Sequence, residues 1–335
     1  MAEFADLGRV EAINALYEGT PFKPCQECRF EAAARERICS VSKMFLEGID
    51  FDLVYFPLKH LGYKCVVGVT GELYAQLAHP STLSVVLGVS AKLDFAQVRE
   101  LWGGVVAAAR EHGYKDVALD LAPSRNGLCI SVSATGGTSL LTETRKPSAK
   151  SKDLICVSGA LGAAYLGQRV LERELGRFNE GEHEGRDKRL EQYKMLVGAY
   201  LKPELEAGTV AQMESSEIYP SKGYFITRGL ADAVKRLCRD TGLGAKIYAD
   251  KLPFEGNSFQ LGRELDVDPI SAAMNGGDEN KLLFTIPILQ MEKFRKDFQT
   301  FDIIGHLALP ETGAALVTPD GVELTISAPG WSEDE

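Results

Sequence analysis

The stretch "TLSVVLGVSAKLDFAQVRELWGGVVAAAREHG", Thr82 to Gly113, sets a strand signal directly before a helix signal. Residues 82–91 are rich in Val, Leu and Thr and read as a strand. The period then changes. Phe95, Val98, Trp102, Val105 and Ala109 recur at three- and four-residue intervals, which gathers them on one side of a helix. Asp94 stands just ahead of that stripe with Gln97 three residues on, so each side chain can satisfy the other residue's backbone N–H in a capping box. Gly113 ends the helix, because the left-handed turn that closes many helices costs glycine little.

The same alternation continues outward. "KDVALDLA" and "GLCISVSAT" read as two further strands. "TETRKPSAKSK", 142–152, is polar, basic and broken by a proline, and marks a domain boundary. Beyond it "DLICVSG" reads as a buried strand and "GALGAAYLGQRVLERELG" as a helix. "RFNEGEHEGRDKRLEQ" reads as a solvated loop running into another helix. "RGLADAVKRLCRDTGLG" is a helix with Leu230, Val234, Leu237 and Cys238 inward and Gly242 as its cap. "AKIYA", "KLLFTIP", "FDIIGHLAL", "AALVT" and "VELTISA" supply strands. The expectation is an α/β (α+β) chain of two domains, 1–149 and 150–335, each a sheet covered by helices on one side.

Composition narrows the function. The chain has 335 residues, with 37 basic against 47 acidic side chains and a net charge of -10. That excess argues against general binding to nucleic acid or anionic membranes. No apolar run reaches membrane-spanning length, and "MAEFADLGRVEA" lacks a basic-then-apolar leader pattern, so the expected location is the cytoplasm. Of seven cysteines, Cys65, Cys129 and Cys156 sit in apolar runs and read as small buried hydrophobes. Cys25 and Cys28 form a C-x-x-C; a zinc site would want a second pair, and only Cys39 is near, so they read as reduced free thiols.

One loop carries a chemical signal. In "NGGDENKLLFTIP", 275–287, Gly276 and Gly277 precede Asp278 and Glu279 at the start of a strand. Acids on such a turn can hold a metal or orient a phosphate; the plainer reading is a turn and nothing more. His60, in "PLKHLGYK" with its "LGYK" turn, and His306, in "IIGHLAL", read as structural.

The segments "FLEGIDFDLVYFPLKHLGYKCVV", "DLICVSGALGAAYLG", "YLKPE", "AMNGGDENKLLFTIP" and "IGHLALPETGAALVTPDG" stand in an order and spacing that resemble thiamine-monophosphate kinase, of the PurM-like superfamily of aminoimidazole ribonucleotide synthetase. The resemblance runs from about Ile38 to Trp331. It implies an N-terminal sheet domain that dimerises, with 82–91 in or near the interface, and a C-terminal α/β domain. It also implies a nucleotide site between them, where magnesium ions held by aspartates bind ATP for transfer of its γ-phosphoryl group to thiamine monophosphate.

Residue by residue, the family's acids are largely replaced. Its Gly-Asp-Asp loop falls near "KPCQECRFE", where Glu27 is the acid. Its Thr-Asp falls on Ser42-Lys43, and its Asn-Leu-Ser-Asp on Val69-Thr70-Gly71-Glu72. Its Gly-Gly-Asp-Thr falls on Ala118-Leu119-Asp120-Leu121, and its Asp-Ile-Ser-Asp-Gly-Leu on 225–230, which places Phe225 and Arg228 at the aspartates. Gly276-Gly277-Asp278-Glu279 keeps the last motif with its acids exchanged. Lys43 and Arg228 each set a positive charge where a magnesium site needs a negative one, which repels the ion by several kcal/mol at about 4 Å. Glu72 and Asp120 remain as remnant metal positions, and Gly276, Gly277, Asp278, Glu279, Lys43 and Arg228 as candidates for holding a ligand directly.

Three functions stay open: a non-catalytic homologue acting as a homodimer or as a heterodimer with an active relative, an enzyme that binds nucleotide with few metals, and a binding protein for an anionic metabolite. One geometric expectation follows, that Lys43 or Arg228 pairs with Glu72, Asp120 or Asp278.

Overall fold

The computed structural model describes residues 8–25, 28, 36–182 and 184–331. The chain divides into two units, one of residues up to Glu143 with Glu206–Val210, the other of Thr144–Leu205 with the chain from Ala211 on.

The first unit contains α1 (Arg9–Tyr17), β1 (Glu36–Leu46), α2 (Leu58–Ala75), β2 (His79–Ser90), α3 (Phe95–Glu111), β3 (Asp116–Ser124) and β4 (Cys129–Ser139). Its strands form one sheet in the order β1-β4-β2-β3. β2 and β3 run parallel, joined by α3, and the other pairs are antiparallel. The capping box is formed: Asp94 Oδ1 accepts the Gln97 N–H at 2.8 Å, and Gln97 Oε1 accepts the Asp94 N–H at 2.9 Å. The "LGYK" turn is not a turn. Those residues lie inside α2, where Gly62 lets two helices touch: a Cβ there would overlap the carbonyl of Leu101, and one at Gly104 that of Lys59. Glycine serves packing here, and α2 is buried nearly all round as a result.

α4 (Leu140–Arg145) occupies the start of the polar run expected as a linker, because Ser139 Oγ accepts the Thr142 N–H at 3.0 Å and starts a helix.

The second unit holds β5 (Leu154–Val157), α5 (Ala163–Asn179), α6 (Arg186–Gln192), α7 (Lys194–Leu201), α8 (Thr209–Ser215), β6 (Lys222–Ile226), α9 (Leu230–Thr241), β7 (Gly244–Tyr248), α10 (Ser258–Leu265), α11 (Pro269–Asn275), β8 (Lys281–Ile286), α12 (Met291–Asp297), β9 (Asp302–Ala308), β10 (Ala314–Val317) and β11 (Glu323–Thr325); α8 begins in the segment grouped with the first unit. Its sheet runs β11-β10-β7-β9-β5-β8-β6, with only β10 and β7 parallel.

Leu230, Val234 and Leu237 of α9 pack on Ile155, Val157, Ile247, Leu283 and Ile304 of the sheet. Phe284, on the other face of β8, stacks on Phe301 with centroids 5.8 Å apart, beside Phe294 and Phe298. This sheet is therefore covered on both faces near β8, not on one. The charged stretch 177–192 is mostly helical: α5 runs through Asn179 and α6 fills 186–192. Buried Glu174 explains why, since Arg189 Nε of α6 reaches its Oε2 at 2.7 Å and ties the short helix down. Among the described residues no helix is long and apolar enough to cross a membrane.

Candidate functional site

In the first unit the pleat of the sheet sorts the candidates. Lys43 on β1 lies opposite Val132, which lies opposite Val85, which lies opposite Leu119. Cross-strand partners share a face, and this row is the one α2 covers. A Cβ at Gly68 of α2 would sit 3.2 Å from Phe45 Cζ and 3.9 Å from Lys43 Cδ, so the absent side chain leaves a channel for the lysine stem. One turn further along α2, Glu72 Oε1 receives the Lys43 ammonium at 3.3 Å, with the two side chains 23% and 21% exposed. The anticipated pairing of Lys43 with an acid is present, and its partner is Glu72.

Asp120 stands one residue beyond Leu119 and faces the other way. Its row is Asp120, Val86, Ser131 and Met44, where Val86 is 42% and Met44 59% exposed. The sheet separates Asp120 from Lys43 and Glu72, so these remnant positions do not form one cluster. Arg9 of α1 takes Asp120 instead, Nη1 to Oδ1 at 2.8 Å, and the Leu121 N–H donates to the same oxygen at 2.9 Å. Arg9 lies 111 residues away in sequence, and nothing in the local pattern announces it. Glu27 lies outside the described residues.

In the second unit two motifs do meet. The loop at 275–280 joins α11 to β8 and turns sharply, with Gly277, Asp278 and Asn280 all at positive φ. The Asp278 N–H donates to Thr227 O at 2.7 Å and the Asn280 N–H to Ile226 O at 2.8 Å, which zips this loop to the turn between β6 and α9. A Cβ at Gly229 would strike the carbonyl of Met274, so this close approach requires glycine on the opposing turn as well. Phe225 is fully buried and belongs to the core of the second unit. Arg228 is exposed, and its side chain makes no ion pair or hydrogen bond among the described residues.

Glu279 turns inward. It is 2% exposed, and its carboxyl lies against the backbone N–H groups of Gly162 and Ala164 at the start of α5, while Oε1 has no partner among the described residues. Gly162 offers no capping side chain, so the Glu279 carboxyl stands in that place at the helix start. Burial pushes its pKa up to about 8, against the opposing pull of nearby Lys281, whose own pKa burial lowers. Of the two acids in this turn, Asp278 stays at the loop and Glu279 turns inward to the start of α5.

His306 stacks on Tyr248 with centroids 5.8 Å apart, and burial with Lys246 and Lys251 nearby lowers its pKa. His60 sits half-buried in the first turn of α2.

Magnesium requires several carboxylate oxygens at once. Within neither unit do three or more His, Cys, Asp or Glu side chains of the described residues converge for this. Lys43 holds Glu72, Arg9 holds Asp120, and Glu279 is buried, so the donor set does not fit the ion.

No family model matches the chain. It is 22% identical to thiamine-monophosphate kinase of Aquifex aeolicus over 291 residues, covering 86% of this chain and 87% of that one. It is 28% identical to that of Pyrococcus horikoshii over 247 residues, covering 73% and 71%. Among solved structures, the thiamine-monophosphate kinase of Stenotrophomonas maltophilia superposes with a TM-score of 0.70 at 21% identity, over 89% of this chain and 88% of that one. The Aquifex enzyme complexed with AMPPCP and TMP gives 0.70 at 20% identity, over 97% of both chains. E. coli HypE, a hydrogenase maturation protein, gives 0.70 at 16% identity, over 96% of both. By the run of its sequence this chain is similar to the thiamine-monophosphate kinases, and it shares their fold.

Proposed function

We propose that this chain is a non-catalytic relative of thiamine-monophosphate kinase: it keeps the fold and does not carry out magnesium-dependent phosphorylation of thiamine monophosphate. The observation that carries this reading is the Lys43–Glu72 ion pair at 3.3 Å. A fixed ammonium stands where the family resemblance puts a metal-binding acid, and it consumes the neighbouring carboxylate. A magnesium ion arriving there would have to break the pair and then share the space with a displaced cation. The loss of both aspartates of the 225–230 motif supports the same reading, because buried Phe225 supplies no donor atom.

In this role the protein acts by association in the cytoplasm. The open face of the first sheet, carrying Met44 and Val86, suits a homodimer or a heterodimer with an active relative. Size-exclusion chromatography with light scattering tests the assembly. A turnover assay with ATP, magnesium and thiamine monophosphate tests the chemistry, and no product above background is expected.

A second reading, an anion-binding protein, is favoured by Arg228. This exposed arginine stands two residues before α9, where a cation opposes the helix dipole unless an anion joins it. Thermal shift with ATP, ADP, thiamine monophosphate and thiamine diphosphate, each without magnesium, separates the readings. A stabilisation abolished by Arg228→Ala would select the second.

A further inference from the structure

The C-x-x-C at Cys25 and Cys28 is used by neither reading above, yet the structure brings its thiols together. The two thiols reach the carbonyls of Val117 and Leu83, which are register partners across β3 and β2, and Cys28 and Tyr17 both lie near enough to Cys25 to bear on its ionisation. Cys25 Sγ donates to Val117 O at 3.4 Å, Cys28 Sγ donates to Leu83 O at 3.3 Å, and the Tyr17 hydroxyl donates to that same Val117 carbonyl at 2.5 Å. The backbone is held as well: the Cys25 carbonyl accepts the Leu119 N–H at 3.1 Å along the outer edge of β3. Both thiols are free and partly exposed, in contrast to fully buried Cys65 and Cys156.

From this geometry we infer that Cys25 and Cys28 form a modification site, a dithiol that small disulfides oxidise to an intramolecular disulfide. The surroundings favour that outcome over metal binding. Burial, the neighbouring Cys28 and Asp116 all raise the Cys25 pKa, which disfavours the thiolate that a metal would need. No third His, Cys, Asp or Glu of the described residues joins the pair as a metal ligand.

The step balances through two exchanges. One protein thiolate attacks the small disulfide R–S–S–R, breaking its S–S bond, forming a mixed disulfide and releasing one RS⁻. The second protein thiolate attacks the protein sulfur of that mixed disulfide and releases the other RS⁻. The two protons lost by the protein end on two RSH, and the dithiol has given up two electrons to the small disulfide.

The test uses the full chain in mixtures of oxidised and reduced glutathione at mildly alkaline pH. The reaction is quenched by alkylation under denaturing conditions, and the peptides are mapped by mass spectrometry. Cys25 and Cys28 are expected to leave the alkylated pool together, as one species lacking two hydrogens, while Cys65 and Cys156 stay alkylated. Cys28→Ser should halt the reaction at a stable glutathione adduct on Cys25, and Cys25→Ser should do the reverse. Should a variant fold poorly, the wild-type map decides alone. Independent loss of the two thiols, adducts on both that never close, or full alkylation of both at every ratio would overturn the inference. So would a stoichiometric zinc ion released when the pair is modified.

Discussion

The Lys43–Glu72 pair can be tested through its energy. Unit charges 3.3 Å apart, as in Lys43–Glu72, attract by about 5 kcal/mol at an effective dielectric near ~20. Desolvation and lost side-chain freedom offset most of that. Exposed pairs net about 0–1 kcal/mol, and both partners here are only about a fifth exposed, which places the expected coupling at about 1–2 kcal/mol. The perturbation is a double-mutant cycle of Lys43→Met and Glu72→Gln. Methionine keeps a stem beside Gly68, and glutamine keeps the shape of the acid. Urea unfolding of all four proteins, at low and high salt, reads the coupling from the first unit's transition. A coupling within about 0.3 kcal/mol of zero would show that the pair is incidental and refute the reasoning.

Glu279 gives a pH prediction. Its pKa rises from 4.5 to about 8 on folding, so between those values the unfolded state binds fewer protons and stability must fall as pH rises. Lys281, shifted downward, opposes this at higher pH, so the clean readout is the difference from Glu279→Gln. That variant should gain on the wild type by a few kcal/mol from pH 5 to 8 in thermal melts, and an unchanged difference would contradict a buried carboxyl cap. Glu174→Ala should cost about 2–4 kcal/mol in urea unfolding, because Arg173, Arg177 and Arg189 all lose a buried counter-charge; a loss under about 1 kcal/mol would mean they relax into solvent. Gly104→Ala should destabilise the first unit by more than about 2 kcal/mol, since its Cβ would enter the Lys59 carbonyl, whereas Gly103→Ala, in open space, should be neutral or stabilising. Arg228→Ala should change stability by less than about 0.5 kcal/mol, and a larger loss would reveal a structural partner.

Local chemistry made the fold readable where it was sufficient. The capping box at Asp94 and the left-handed Gly242 are settled within a few residues, and both form as the sequence implies. "LGYK" misled because glycine signals a turn and a close helix crossing equally well, and only the neighbouring α3 distinguishes them. β1 and β6 escaped recognition: β1 has a polar exposed face and β6 spans five residues at the sheet edge.

The site was legible in the same uneven way. The reversal of charge at 43 pointed to a pair with a nearby acid, and the pair with Glu72 is there. The sheet parity that sends Asp120 to the opposite face needs the strand register, and the Arg9 partner needs the tertiary fold. Glu279 could be read as an acid on a turn; its burial at the start of α5 depends on how that turn is zipped to β6.

On the proposed reading, Lys43 and Glu72 stand where the family resemblance puts a metal ligand. Isothermal titration calorimetry of ATP into the protein with thiamine monophosphate, with and without magnesium, tests it most directly, followed by a product assay on the same samples. Magnesium should add no binding heat, and no thiamine diphosphate should form. Magnesium-dependent ATP binding together with turnover near ~1 per second, the low end for phosphoryl transfer, would contradict it.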